Sequence, residues 1–190
     1  MRYHRTDVVD RALRVLDEYG LADLTMRRLG TELGVQPSAL YHHVANKQEL
    51  LAAVADEVLA RGPRRSPLAA WDARAEQICV ELREAMLAYR DGAELVAAVR
   101  AFGLGARAPY DELTTALAGA GLDPDLVPVA VATLLHFVFG HTLDEQTQLQ
   151  AASAGAVAEE PRETSDFALG LALVMAGIRQ QVPAADGLRR

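Results

Sequence analysis

One cysteine, one lysine and an aromatic share of 5% are the first limits on this 190-residue chain. Cys79, alone, can form neither an internal disulfide nor a multi-cysteine zinc site, which excludes the stapled secreted scaffolds and fits a reducing cytoplasm. With so few rings, Leu, Val and Ala must fill the interior. A hydrophobic share of 51% against 24% charged residues supplies enough apolar surface for that and excludes wholesale disorder. The start, MRYHRTDVVD, has charges but no apolar run behind them, so no signal peptide is expected. The most apolar stretch, 126–140, is interrupted by Pro128 and His136 and falls short of the roughly 20 residues of a membrane span. It reads as a buried helix of a cytoplasmic protein with no membrane partner. No segment shows sustained strand alternation, and a length of roughly one to one and a half domains is too short for a large barrel enzyme.

The formal charge of −7 at first argues against a polyanionic partner. Its distribution weakens that objection, because residues 1–47 hold seven Arg or Lys against six Asp or Glu and the acidic excess lies beyond them. Lys47 is the only lysine, so the abundance of arginine reflects general usage and is not itself a nucleic-acid signal. Specific positions must carry that claim.

Helical periodicity runs through the chain. Val8, Val9, Ala12, Leu13, Val15, Leu16 and Tyr19 recur at steps of three and four, with Thr6 or Asp7 as the cap and Gly20 as the stop. Thr25 can cap a short second helix in which Met26, Leu29 and Leu33 share a face, and Gly34 can take the left-handed conformation that reverses the chain. Pro37 suits the first turn of a third, shorter helix whose inner side is Leu40 and Val44. Asn46, with Glu49 three residues on, opens a fourth that reaches about Arg61. The breaker cluster GPRRSP at 62–67 divides the modules. Beyond it the reading is helical over 67–89, 93–102, 110–118, 124–150 and 165–181, with a small, acidic loop at 151–164. The expected fold is all-α: a three-helix unit over 1–46, a connecting helix over 47–61 and a C-terminal helical domain over 67–182.

Residues 25–47, TMRRLGTELGVQPSALYHHVANK, form a helix, a short glycine-containing turn and a second helix, the arrangement of a helix-turn-helix reader. A major groove about 12 Å wide accepts a helix whose outer face carries small or planar polar groups. Gln36, Pro37, Ser38, Ala39, Tyr41, His42 and His43 supply that face, and the third helix carries no acid. Arg27 is placed to read a guanine, while Thr25, Tyr41, His43 and Lys47 are placed to hold phosphates. At the terminus Arg2, His4 and Arg5 have the character of a minor-groove arm, although a solvated terminus is the simpler reading.

At these residues the sequence resembles the tetracycline repressor (TetR) family of dimeric, ligand-released transcriptional repressors. The match covers DRALRVLDEYGLADLTMRRLGTELGVQPSALYHHVANKQELLAAVADEVL, with the family pattern G-V-x-x-x-x-L-Y-x-H-V-x-N-K at 34–47. A second, weaker resemblance to the tetracycline-repressor branch lies in Trp71, in YRDGAELV at 89–96 and in HFVFGHTLDEQ at 136–146. The resemblance implies a C-terminal domain that dimerises through a four-helix bundle and holds an inducer pocket, lined here by Ile78, Leu82, Val96, Val99, Phe102, His136 and Asp144. The departures are informative. Val96 stands where the family's magnesium-binding histidine would be, Asp144 replaces a glutamate, and the drug-contacting His, Asn and Phe positions correspond to Pro63, Ile78 and Leu82. A magnesium–tetracycline inducer is therefore not expected. The remaining pocket suits a fairly apolar molecule oriented by one or two polar groups such as His136 or Asp144.

Two C-terminal segments, 126–143 and 167–178, are apolar on nearly every side, more than one small domain can cover. Pairing with a second copy would bury them, with Gly170, Ala172, Ala176 and Gly177 permitting close approach, and a dimer would read a palindromic operator in double-stranded DNA. No catalytic residue, metal site or cofactor is expected. His141, Asp144 and Glu145 lie within one turn but lack a cysteine or second histidine on that face, and no nucleophile stands beside a base. The alternatives are a helical interaction module without specific DNA binding and a small metal-dependent enzyme around His136, His141 and Asp144.

Overall fold

The computed structural model of the chain describes residues 3–153 and 165–183. These contain nine α-helices and no strand: α1 (Arg5–Tyr19), α2 (Met26–Leu33), α3 (Pro37–Leu40), α4 (Lys47–Arg61), α5 (Trp71–Leu87), α6 (Gly92–Ala101), α7 (Ala108–Gly119), α8 (Val127–Ser153) and α9 (Phe167–Arg179). They divide into two compact units, Met1–Pro63 with Glu84–Arg107 and Arg64–Arg83 with Ala108–Arg190. The chain passes from one unit to the other within α5.

In the first unit, the inner face of α1 buries Val8, Val9, Ala12, Leu13, Val15 and Leu16. The helix starts at Arg5 and is capped at His4, not at Thr6 or Asp7, because the Asp7 carboxylate reaches back to accept the His4 N–H at 2.7 Å. Thr25 caps α2, its hydroxyl oxygen accepting the Arg28 N–H at 3.1 Å. Gly34 ends that helix at φ +67°, a backbone that residues with a Cβ adopt at a cost. Asn46 Oδ1 accepts the Glu49 N–H at 2.8 Å, and the Glu49 carboxylate reaches one residue further back than a standard box, to the Ala45 N–H at 2.6 Å. Arg61 bonds both Glu57 and Asp10, fastening the end of α4 to α1.

Between α6 and α7 the chain is held against α4. Ala106 is buried at φ +55° and donates its N–H to Asp56 Oδ1 at 2.8 Å. A left-handed alanine costs about 1 kcal/mol, partly offset in glycine by greater chain entropy. Ala106→Gly should therefore raise the urea midpoint, by about 0.5–1 kcal/mol in stability. A lower midpoint would mean that its methyl group packs more favourably than the backbone is strained.

In the second unit, ion pairs join the helices side to side. Arg83 bonds Glu145 through Nε at 2.8 Å and through Nη2, tying α5 to α8. Arg179 reaches Asp72 at 2.9 Å and Glu76 at 2.6 Å, so the end of α9 meets the start of α5. Arg74 and Arg64 share Glu112 of α7. The chain before α5 is a strap, not the helical turn expected from Pro67. Arg65 N–H donates to Glu81 at 2.9 Å, Leu68 N–H donates to Gln77 at 3.1 Å, and Gln77 donates to the Ser66 carbonyl at 3.1 Å. These side-chain partners hold the backbone out of the helix.

Helix α8 also corrects an expectation. Pro128 falls in its first turn, where the missing N–H costs nothing, and His136 is exposed, so neither breaks the helix. With 27 residues and an 18-residue window of mean hydropathy 1.3, it has the length and apolarity of a membrane-crossing helix. Residues 151–153, expected in the loop, belong to this helix; the remainder of that loop lies outside the described residues.

Candidate nucleic-acid interface

The reader is built by the packing of α2 on α3. Their buried residues, Leu29, Leu33 and Leu40, hold the pair from inside, and Gly30 lets the backbones meet. A Cβ at Gly30 would lie 2.9 Å from the Val35 carbonyl oxygen and 3.3 Å from the Pro37 nitrogen. Val44, also buried, pins the turn that follows α3.

This packing turns the predicted residues outward. Gln36, Ser38 and His42 are exposed, Tyr41 is 50% exposed, and Pro37, Ala39 and His43 are half-buried. No acid interrupts residues 33–48. Arg27 and Arg28 are adjacent yet differ in what holds them. Arg28 lies over the Tyr19 ring at 3.6 Å and pairs with Glu32 at 3.3 Å, so it braces α2 against α1. Arg27 is exposed, and among the described residues no side chain holds its guanidinium. Its five donors are available to a base edge or a phosphate. Thr25 spends a lone pair on the cap, which leaves its hydroxyl proton for a phosphate oxygen. Lys47 is half-buried in the first turn of α4.

The terminus is anchored. Tyr3 donates its hydroxyl proton to the Leu33 carbonyl at 2.9 Å, Arg5 pairs with Glu49 at 3.2 Å, and Arg2 lies outside the described residues. Sequence reasoning missed Tyr3 and the Asp56 contact, for which no local pattern is a signal.

The other predicted residues fall in both units. In the second unit Ile78 and Leu82 are buried on one stripe of α5, whereas His136 and Asp144 are exposed on α8. In the first unit Val96 and Val99 are buried in α6, and Phe102 is 77% exposed. Cys79 is buried, and that burial pushes its thiol up to about 12, leaving it protonated and unreactive at neutral pH.

A helix pair whose second helix carries no acid, with an unheld arginine and flanking hydrogen-bond donors, defines a helix-turn-helix DNA-binding protein. Residues 8–54 match the family described as bacterial regulatory proteins, tetR family, and residues 64–165 match the tetracyclin repressor-like C-terminal domain. Tetracycline repressor protein class D from Escherichia coli is 35% identical over 158 residues, covering 79% of this chain and 70% of its own. The crystal structure of Mycobacterium smegmatis BioQ superimposes with a TM-score of 0.86 at 41% identity, covering 95% of this chain and 99% of that one. BioQ with its natural double-stranded DNA operator gives 0.81 at 41% identity, covering 93% and 98%. The chain belongs to the TetR family of bacterial regulatory proteins. It is a DNA-binding transcriptional regulator and not an enzyme.

Proposed function

We propose that this regulator is a homodimeric, cytoplasmic repressor that holds a palindromic operator and leaves it when a small, fairly apolar inducer binds. The reading face carries the proposal: Arg27, Gln36, Ser38, Tyr41 and His42 are exposed on or beside the packed pair α2 and α3, and residues 33–48 carry no acid. Arg27 reads a base, Thr25, Tyr41, His43 and Lys47 grip phosphates, and residues 1–46 act as the reader with 47–61 as its connection to a ligand-binding and dimerisation domain over 67–182. Relatives named as tetracycline repressors, and BioQ with its operator, support repression at an operator.

Dimerisation has its own support. Leu169, Leu173 and Val129 are 65%, 69% and 59% exposed, and Ala172, Ala176 and Gly177 are exposed among them. Between α8 and α9 lies an apolar groove of about 330 Å³ lined by Leu122, Leu126, Val129, Leu173 and Ile178. A second copy set against this face covers it and completes a four-helix bundle. His136 lies on the same exposed stripe of α8 as Val129 and Leu143. The inducer contacts proposed within this unit are Ile78 and Leu82, with His136 and Asp144 reaching a ligand from the pairing side. Weakening the operator about 100-fold takes about 2.7 kcal/mol of differential affinity, which a buried ligand can supply.

Selection from random duplex DNA at fixed salt tests the proposal. The wild type should enrich a palindrome. Arg27→Ala should relax one position per half-site, at about 1–3 kcal/mol of discrimination. Lys47→Ala should weaken all sequences alike and flatten the salt dependence. Enrichment of nothing at any salt would favour a helical interaction module instead.

A further inference from the structure

We infer that Thr142 is a ligand-contact residue of this regulator and that the inducer it meets is a mostly apolar, non-anionic molecule with a hydrogen-bonding group such as a carbonyl. The inference rests on the ligand-released reading above and names the chemistry of that ligand.

Thr142 is fully buried in α8, and among the described residues its hydroxyl has no hydrogen-bond partner. That is unusual for this protein. Thr31, Thr114, Thr133 and Thr147 each donate to the carbonyl four residues back, at 2.8–3.1 Å, which is the default for a threonine inside a helix. Thr142 has the Val138 carbonyl in the equivalent position and does not use it. A buried hydroxyl without a partner destabilises the fold that holds it, and its persistence points to a partner from outside the chain.

A second unsatisfied donor lies on α5, on the turns before the level of Thr142. Arg74 Nη1 is buried and has no partner among the described residues, although Nη2 of the same group bonds Glu112. Arg74, Ile78 and Leu82 follow one another at steps of four on α5, so this donor shares a stripe with two apolar residues already proposed as ligand contacts. The Arg83–Glu145 bond holds α5 beside α8 at the level of Thr142. On α8, Thr142 shares its buried stripe with Leu135, Val138 and Gln146.

The charges of this unit decide the ligand class. Arg83 is matched by Glu145, Arg74 by Glu112, and Arg179 by Asp72 and Glu76, while Glu81 accepts from Gln77 and from the Arg65 N–H. His141 Nδ1 is buried without a hydrogen bond but stands 3.8 Å from Glu145. These arginines are spent on carboxylates and leave none to neutralise an anionic guest, which would lose its hydration without repayment. A neutral molecule that offers an acceptor to the Thr142 hydroxyl meets no such penalty.

The test uses full-length protein and the neutral ketone probe 6-propionyl-2-dimethylaminonaphthalene, whose emission shifts to the blue when its carbonyl loses a hydrogen bond. Wild type should bind it saturably. Thr142→Val, which keeps the shape, should weaken binding about tenfold and blue-shift the bound emission; Thr142→Ser should restore both. Because valine removes an unsatisfied polar atom, the ligand-free Thr142→Val protein should melt about 2–4 °C higher. The anionic 1-anilinonaphthalene-8-sulfonate should not displace the ketone. Unchanged ketone binding in Thr142→Val, a lower melting point, displacement by the sulfonate, or no ketone binding by wild type would each overturn the inference. Operator selection on the same preparation separates the two readings. Its failure would sink the regulator proposal, whereas ketone failure with intact operator binding would sink only the role of Thr142.

Discussion

Leu169→Glu combined with Leu173→Glu should leave a folded monomer in sedimentation velocity at micromolar concentration, with affinity for a full palindrome reduced at least ~100-fold. Both leucines are exposed on the single chain, so their replacement costs the protomer little. In a paired bundle each would be buried, and burying a leucine is worth about 1.5–3 kcal/mol. Two per protomer make a gross contribution of roughly 6–12 kcal/mol across a two-fold interface, before the ordering costs of association. Glutamates there would replace that gain with buried like charges. A monomer presents one reader, and the second half-site is then bound without the benefit of linkage. A variant that still sediments as a dimer would show that another face pairs the chains.

The second large effect is expected at Gly30. Valine there would place its Cβ 2.9 Å from the Val35 carbonyl and 3.4 Å from Pro37 Cδ, and both neighbours are fixed by the turn and the ring. Overpacking of this kind costs about 1–3 kcal/mol. Relief must come from moving α3 away from α2, which re-aims Gln36, Ser38 and Tyr41. Operator binding should therefore fall more than stability does, by more than about tenfold in the folded fraction. Gel-shift titration alongside urea unfolding checks this. Equal losses in the two measurements would assign Gly30 a purely structural role.

Much of this molecule is legible in one dimension because its signals are local. The Thr25 and Asn46 caps, the Gly34 reversal and the Pro37 start each depend on residues within a single turn, and α2, α3 and α4 fall where those residues place them. The outward aim of Gln36, Ser38, Tyr41 and His42 follows from Leu40 and Val44, whose burial is a matter of helical period. One error is a local cap, and the other comes from groups further along the chain. His4 caps α1 because Asp7 turns back to it, and residues 65–68 stay extended because Gln77 and Glu81 hold their backbone.

An all-helical chain with a helix-turn-helix reader, and the family pattern at 34–47, are properties of residue order alone, since caps, breakers and period act over three or four positions. Other distinctions were settled only by tertiary contacts. Arg28 braces α2 against Tyr19 while its neighbour Arg27 stays unheld. Asp56 of α4 holds the turn at Ala106, and the apolar surface of α8 is split into a buried stripe with Thr142 and an exposed one with His136. Each depends on which groups meet across helices far apart in sequence, and periodicity carries no record of those partners.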